Sequence, residues 1–153
     1  MRKVIAVCCL TVFLGLVVST GITMAAGTAD EAKAMVEKAL AYIQANGKDK
    51  AIEAFNDPKG EFVKGDLYIF MNDMSGVTQA HGGNIKLVGK NLQDLKDADG
   101  KPFFQEFAVK ARSGGGWVDY KWANPETKKV QDKSTLIMKV EGADCYVGCG
   151  IYK

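Results

Sequence analysis

From residue 28 onward the apolar positions recur first at helical spacing and then at the alternation of strands. Met35, Val36, Ala39, Leu40 and Ile43 fall on one helical stripe. Thr28-Ala29-Asp30-Glu31 has capping-box spacing before that stripe and Asn46-Gly47 is a stop signal after it, which predicts a helix of about 17 residues. Ala51, Ile52 and Phe55 predict a shorter helix from Lys48 to Asn56, ended by the turn Asp57-Pro58-Lys59-Gly60. Leu67 to Met71 is apolar at every position, so it reads as a strand covered on both faces. Asp73-Met74-Ser75-Gly76 turns the chain, and Val77 to His81 returns as its partner. Gly82 to Gly100 has only weak periodicity, and long segments of that kind are commonly functional. Phe103, Phe104, Phe107, Ala108 and Ala111 then share a helical stripe that Gly114-Gly115-Gly116 breaks. Three strands follow, Trp117 to Trp122, about Val130 to Val140, and Cys145 to Tyr152. Two strands, a crossover with a helix and three sequential strands predict an α+β domain built on a five-stranded antiparallel sheet.

Residues 1–27 read as an export leader. Arg2 and Lys3 precede an apolar run from Val4 to Val18, and the small residues Ala25-Ala26-Gly27 follow. Residues 28–153 are then expected as one periplasmic domain with no membrane span in the mature chain, an uncleaved N-terminal anchor being the competing reading. Loss of Arg2 and Lys3 balances the remaining basic residues against the 18 acidic ones, and no basic cluster remains, which argues against nucleic acid as a partner. Cys145 and Cys149, four apart on a strand, lie about 13 Å from each other, beyond disulfide reach, and read as small core residues. A single histidine gives zinc or haem little to bind, so no cofactor or metal is expected; Asp73, Asp97 and Asp99 have turn chemistry as their ordinary role.

Alternation puts Val118, Tyr120 and Trp122 on one side of their strand, offering two aromatic rings with a hydrogen-bonding edge, as small-molecule pockets and ordinary cores both do. On the last strand Tyr146, Gly148, Gly150 and Tyr152 share a face, and the two glycines leave a vacancy for a ligand or for a bulky neighbour. His81 enters the long loop and can donate to a carboxylate; Lys133 can present a cation to the same pocket.

The string Asp66-Leu67-Tyr68-Ile69-Phe70, then Asp73 with Gly76, His81, Leu87-Val88-Gly89-Lys90-Asn91-Leu92, and Asp97 with Asp99-Gly100-Lys101-Pro102-Phe103 resembles the single-Cache sensor domain. Gly116 to Trp122, Asn124-Pro125, Lys133 and Gly148-Cys149-Gly150-Ile151-Tyr152 continue the resemblance in order over essentially all of residues 28–153. It implies a PAS-like sheet with the long N-terminal helix on one face and a loop-and-helix crossover over the other, the ligand face. It also implies an extracytoplasmic sensor of a small organic molecule, often a short carboxylate. Tyr68, Phe70, His81, Tyr120, Trp122, Lys133 and Tyr146 are the ligand-binding candidates. The family usually follows its histidine with proline, whereas Gly82-Gly83 stands here and implies a more flexible loop.

The expected function is therefore binding of a short-chain carboxylate or similar metabolite, feeding signal transduction or chemotaxis through a membrane sensor or chemoreceptor. The alternative is a structural or interaction protein of the cell envelope with no ligand pocket. An enzyme is not expected, because no serine or cysteine nucleophile sits beside an identifiable base.

Overall fold

The computed structural model of the protein describes residues 26–153; the expected leader lies outside the described residues except for its last two positions. Helix α1 (Ala29–Asn46) starts where the capping box puts it: the Glu31 N–H donates to Thr28 Oγ1 at 3.3 Å and the Thr28 N–H to the Glu31 carboxylate at 3.0 Å. Its stripe of Ala32, Val36, Ala39 and Ile43 is buried. Gly47, at φ 83°, turns the chain into α2 (Lys48–Asn56), which buries Ala51 and Phe55.

The run Leu67 to Met71 is buried throughout, as its composition predicts, but it forms two strands rather than one. β1 (Val63–Lys64) pairs with β2 (Leu67–Tyr68), whereas β3 (Phe70–Asp73) pairs with β4 (Thr78–His81). Ile69 is the junction, donating to Phe62 O at 3.0 Å while its carbonyl accepts from the Gly82 N–H at 2.9 Å. In the β3–β4 turn, Asp73 Oδ1 accepts from Ser75 N–H, Ser75 O–H and Val77 N–H. The long segment after β4 folds back along that hairpin, with a 3₁₀ turn at Ile85–Leu87 and a bridge between Val77 and Asn91.

Next come α3 (Phe103–Arg112), β5 (Gly116–Ala123), β6 (Val130–Lys139) and β7 (Cys145–Tyr152). The antiparallel sheet has the order β4-β3-β7-β6-β5, so the last strand lies at its centre. One core cluster packs α1 and α2 on one face, around Ile69, Met71, Val147, Cys145 and Cys149. The other packs α3 on the opposite face, around Phe70, Tyr120, Ile137 and Tyr146. The approach to α3 is pinned to the free edge of β5: Asp97 Oδ2 accepts from the Lys121 N–H at 2.9 Å, and the Lys101 ammonium donates to the Asp119 carbonyl.

The two glycines of β7 admit neighbours rather than a vacancy. A Cβ at Gly148 would overlap the tip of the Phe70 ring, and one at Gly150 would overlap Thr135 Oγ1 and lie 2.7 Å from Lys133 Cε. Gly148→Ala is therefore expected to destabilise the domain by about 1–3 kcal/mol, read as a lower midpoint in urea; an unchanged midpoint contradicts this packing.

Candidate functional site

Strand register assembles the α3 face in rungs. Tyr120 on β5 lies opposite Lys133 on β6, and Lys133 lies opposite Tyr152 on β7. The next rung holds Val118, Thr135 and Gly150, and the one beyond it Gly116, Ile137, Gly148 and Phe70, which pairs in turn with His81. Tyr68 precedes Phe70 by two residues and faces the same way, its ring centroid 4.9 Å from that of His81. Alternation and register together thus bring Tyr68, Phe70, His81, Tyr120 and Trp122 around one cleft, which α3 closes with Phe103, Phe104 and Phe107. Phe103 stacks on Tyr120 at 4.4 Å and meets Trp122 edge-on at 5.5 Å.

The cleft has a void of about 10 Å³, room for one water molecule. The expected hollow is nearly filled, because Phe70 occupies the notch over Gly148 and the Lys133 stem the notch over Gly150. A larger open groove of about 520 Å³ lies elsewhere, between α1, the end of α3 and Met138, but its polar neighbours Gln44, Arg112, Lys139 and Glu141 are all exposed. Converging buried polar groups mark the smaller space as the better candidate.

Lys133 is fully buried without a carboxylate partner. Its Nζ donates to Tyr68 Oη at 2.7 Å and to Tyr152 Oη at 3.1 Å, and lies 4.0 and 4.4 Å from the centres of those two rings. Burial drives its ammonium down to about 7, opposed by the weaker pull of Cys149 and Asp66. Lys133 does not itself border the cleft; Tyr68 stands between them. The same burial pushes the Tyr68 and Tyr120 phenols well above their ordinary range, so both remain protonated donors.

His81 is positioned from behind. Its backbone N–H donates to Asn56 Oδ1 at 2.9 Å, and its Nδ1 accepts from the Asn84 N–H at 2.9 Å. With Nδ1 used as an acceptor, the neutral ring carries its proton on Nε2. Burial first, and the Lys133 charge second, hold the imidazole down at about 3, so it is neutral at physiological pH. Gly82 and Gly83 allow close approach. A Cβ on Gly82 would meet Phe55 O at 3.2 Å, and one on Gly83 the Tyr68 ring at 2.8 Å.

Tyr146 shares the face but not the cleft. It is buried beyond Phe107, 6.4 Å between ring centres, with its hydroxyl unpartnered among the described residues. Tyr120 Oη is engaged with Thr135 Oγ1 at 3.1 Å. Tyr152, Thr135 and the three α3 phenylalanines complete the site without having been singled out as candidates. Cys145 and Cys149 are free and lie in the α1 core, on the opposite face from His81; burial pushes the Cys149 thiol up to about 12. No group of three or more His, Cys, Asp or Glu arranged for a metal occurs among the described residues.

The single Cache domain 2 family matches residues 16–153. Among curated proteins, a sensor histidine kinase, MctS of Rhizobium johnstonii, is 33% identical over 87 residues, which is 57% of this chain and 19% of that protein. The chain thus spans about a fifth of the length of this relative. A methyl-accepting chemotaxis protein of Vibrio parahaemolyticus has the same fold with a TM-score of 0.71 at 26% identity, over 80% of this chain and 86% of that one. A Cache chemosensory domain solved for its recognition of carboxylic acids matches at TM-score 0.63 over 80% and 86%; at 23% identity that likeness speaks to the fold. The sheet order, the α3-covered face and the extent of the family match agree: the chain belongs to the single Cache domain 2 family of sensor domains.

Proposed function

We propose that this domain binds a short carboxylate between the sheet and α3, outside the cytoplasm, and passes the liganded state to a membrane sensor of the chemoreceptor or histidine-kinase kind. One observation carries the reading: an ammonium is buried with no carboxylate in contact, directly behind a tyrosine that lines the cleft. Burying a charge without a counter-ion costs several kcal/mol, roughly, and an anionic guest offsets that cost. Tyr68 and His81 line the cleft, and the Tyr68 hydroxyl and the His81 Nε2–H are both suited to donate to carboxylate oxygens, with Phe70 and Trp122 available for a short carbon chain. A void of about 10 Å³ is too small for even a two-carbon acid, so binding requires the α3 rings and the half-buried Trp122 to shift.

Tyr68→Phe and His81→Ala are each expected to weaken short-carboxylate binding about tenfold in isothermal titration. No thermal shift with any short carboxylate would sink the reading and favour the alternative suggested by the filled glycine notches, an envelope protein with no guest. Ligand-dependent capture of a chemoreceptor or kinase from envelope extract tests the partner.

A further inference from the structure

Proton accounting around Lys133 gives Tyr152 a role that deepens the carboxylate reading and rests on it. The Tyr152 hydroxyl lies 2.9 Å from the Ala123 carbonyl, an acceptor only, so its single proton is committed there. Its oxygen can then only accept, and it does so from Lys133 Nζ at 3.1 Å. Lys133, as an ammonium, only donates, so Tyr68 Oη at 2.7 Å must be the acceptor of a second Lys133 hydrogen. Tyr68 and Tyr152 are 3.4 Å apart, longer than an ordinary O–H···O bond, so the Tyr68 proton is not consumed between them. That proton is the group left for the cleft, which Tyr68 lines.

We infer that Tyr152 is a positioning residue: by fixing Lys133 against Tyr68 it makes the Tyr68 hydroxyl a donor toward the cleft and so selects acceptor-only ligands, carboxylates, over their neutral amides. His81 has the same one-way wiring from the Asn84 N–H, so the two groups discriminate in the same sense. Register puts this polarity within reach, since Tyr152, Lys133 and Tyr120 occupy one rung of three adjacent strands. The Ala123 carbonyl that takes the Tyr152 proton lies at the end of β5, where Ala123 pairs with Val130.

The test compares acetate with acetamide, equal in size and differing in acceptor character, on the purified full chain by isothermal titration. Wild type binds acetate the tighter of the two. Tyr152→Phe, which frees a Lys133 hydrogen and lets Tyr68 reorient, is expected to reduce the acetate-to-acetamide ratio about tenfold. It is also expected to move the pH midpoint of acetate binding. Tyr146→Phe removes an unpartnered hydroxyl from the same face, outside the cleft and without a bond to Lys133, and leaves the ratio unchanged. A folded Tyr152→Phe protein, judged by its melting transition, that keeps the wild-type ratio and pH midpoint overturns the inference while leaving carboxylate binding intact. Loss of the ratio in Tyr146→Phe as well also overturns it, by showing a general packing effect. Failure of wild type to bind acetate or any other short carboxylate overturns the underlying reading instead.

Discussion

Lys133→Met is expected to do two opposite things, abolish carboxylate binding and make the domain more stable. The ammonium titrates near 7 instead of 10.5, chiefly because it is buried, which corresponds to about 5 kcal/mol against the charged form. Methionine keeps the stem over Gly150 without the charge, and the two tyrosine hydroxyls can turn toward each other across their present 3.4 Å. A net gain of about 1–3 kcal/mol should remain once the lost hydrogen bonds are counted, raising the melting temperature by about 4–10 °C. Carboxylate affinity should fall at least about a hundredfold, because the one buried cation of the α3 face among the described residues is gone. Stability bought at the expense of affinity separates a binding lysine from a structural one. Wild-type affinity in the variant removes Lys133 from the site, and a lower melting temperature contradicts the stated cost of its burial.

Carboxylate affinity is also expected to fall about tenfold per unit as pH rises above 7. Only the charged lysine neutralises the guest, and above that pH the free protein must take up a proton to bind. Around Lys133, the Tyr68 and Tyr152 phenols and the Cys149 thiol are pushed upward and stay protonated, and His81 is held near 3 and stays neutral. Asp66 supplies a nearby negative charge that favours the ammonium. Among these groups Lys133 is the one held near neutrality. Titrations in buffers of different ionisation enthalpy should register close to one proton taken up per ligand at pH 8 and almost none at pH 6; equal values at both sink the linkage. The sign for stability follows from the same values. Between about 7 and 10.5 the unfolded chain holds a lysine proton that the folded chain has released, so Lys133 makes stability rise with pH over that window. His81 acts in the same direction between about 3 and 6.5.

Much of this architecture is written locally. The capping box at Thr28, the stop at Gly47, the second helix, the phenylalanine stripe of α3 and the bounds of β7 all depend on residues close in sequence, and each forms as its pattern predicts. Alternation likewise placed Tyr68, Phe70, Tyr120 and Trp122 on a shared wall. What the pattern could not supply was register. Tyr152 sits in plain view on the face of Gly148 and Gly150, yet its role depends on standing opposite Lys133, which only the pairing of β6 with β7 decides. The same limit explains the glycines, since a gap in one strand says nothing about whether Phe70 or Lys133 leans into it. It explains Tyr146 too: sharing a face with the cleft did not put it on the near side of Phe107.

The attachment of Asp97 and Lys101 to β5 has a consequence beyond the cleft. An outermost strand carries bare amide and carbonyl groups that another extended chain can zip onto. Here a carboxylate and an ammonium from the crossover occupy two of them, at Lys121 and Asp119, and so blunt self-association. Any displacement that peeled the crossover from that margin would uncover adhesive backbone, a surface where another protein can add a strand.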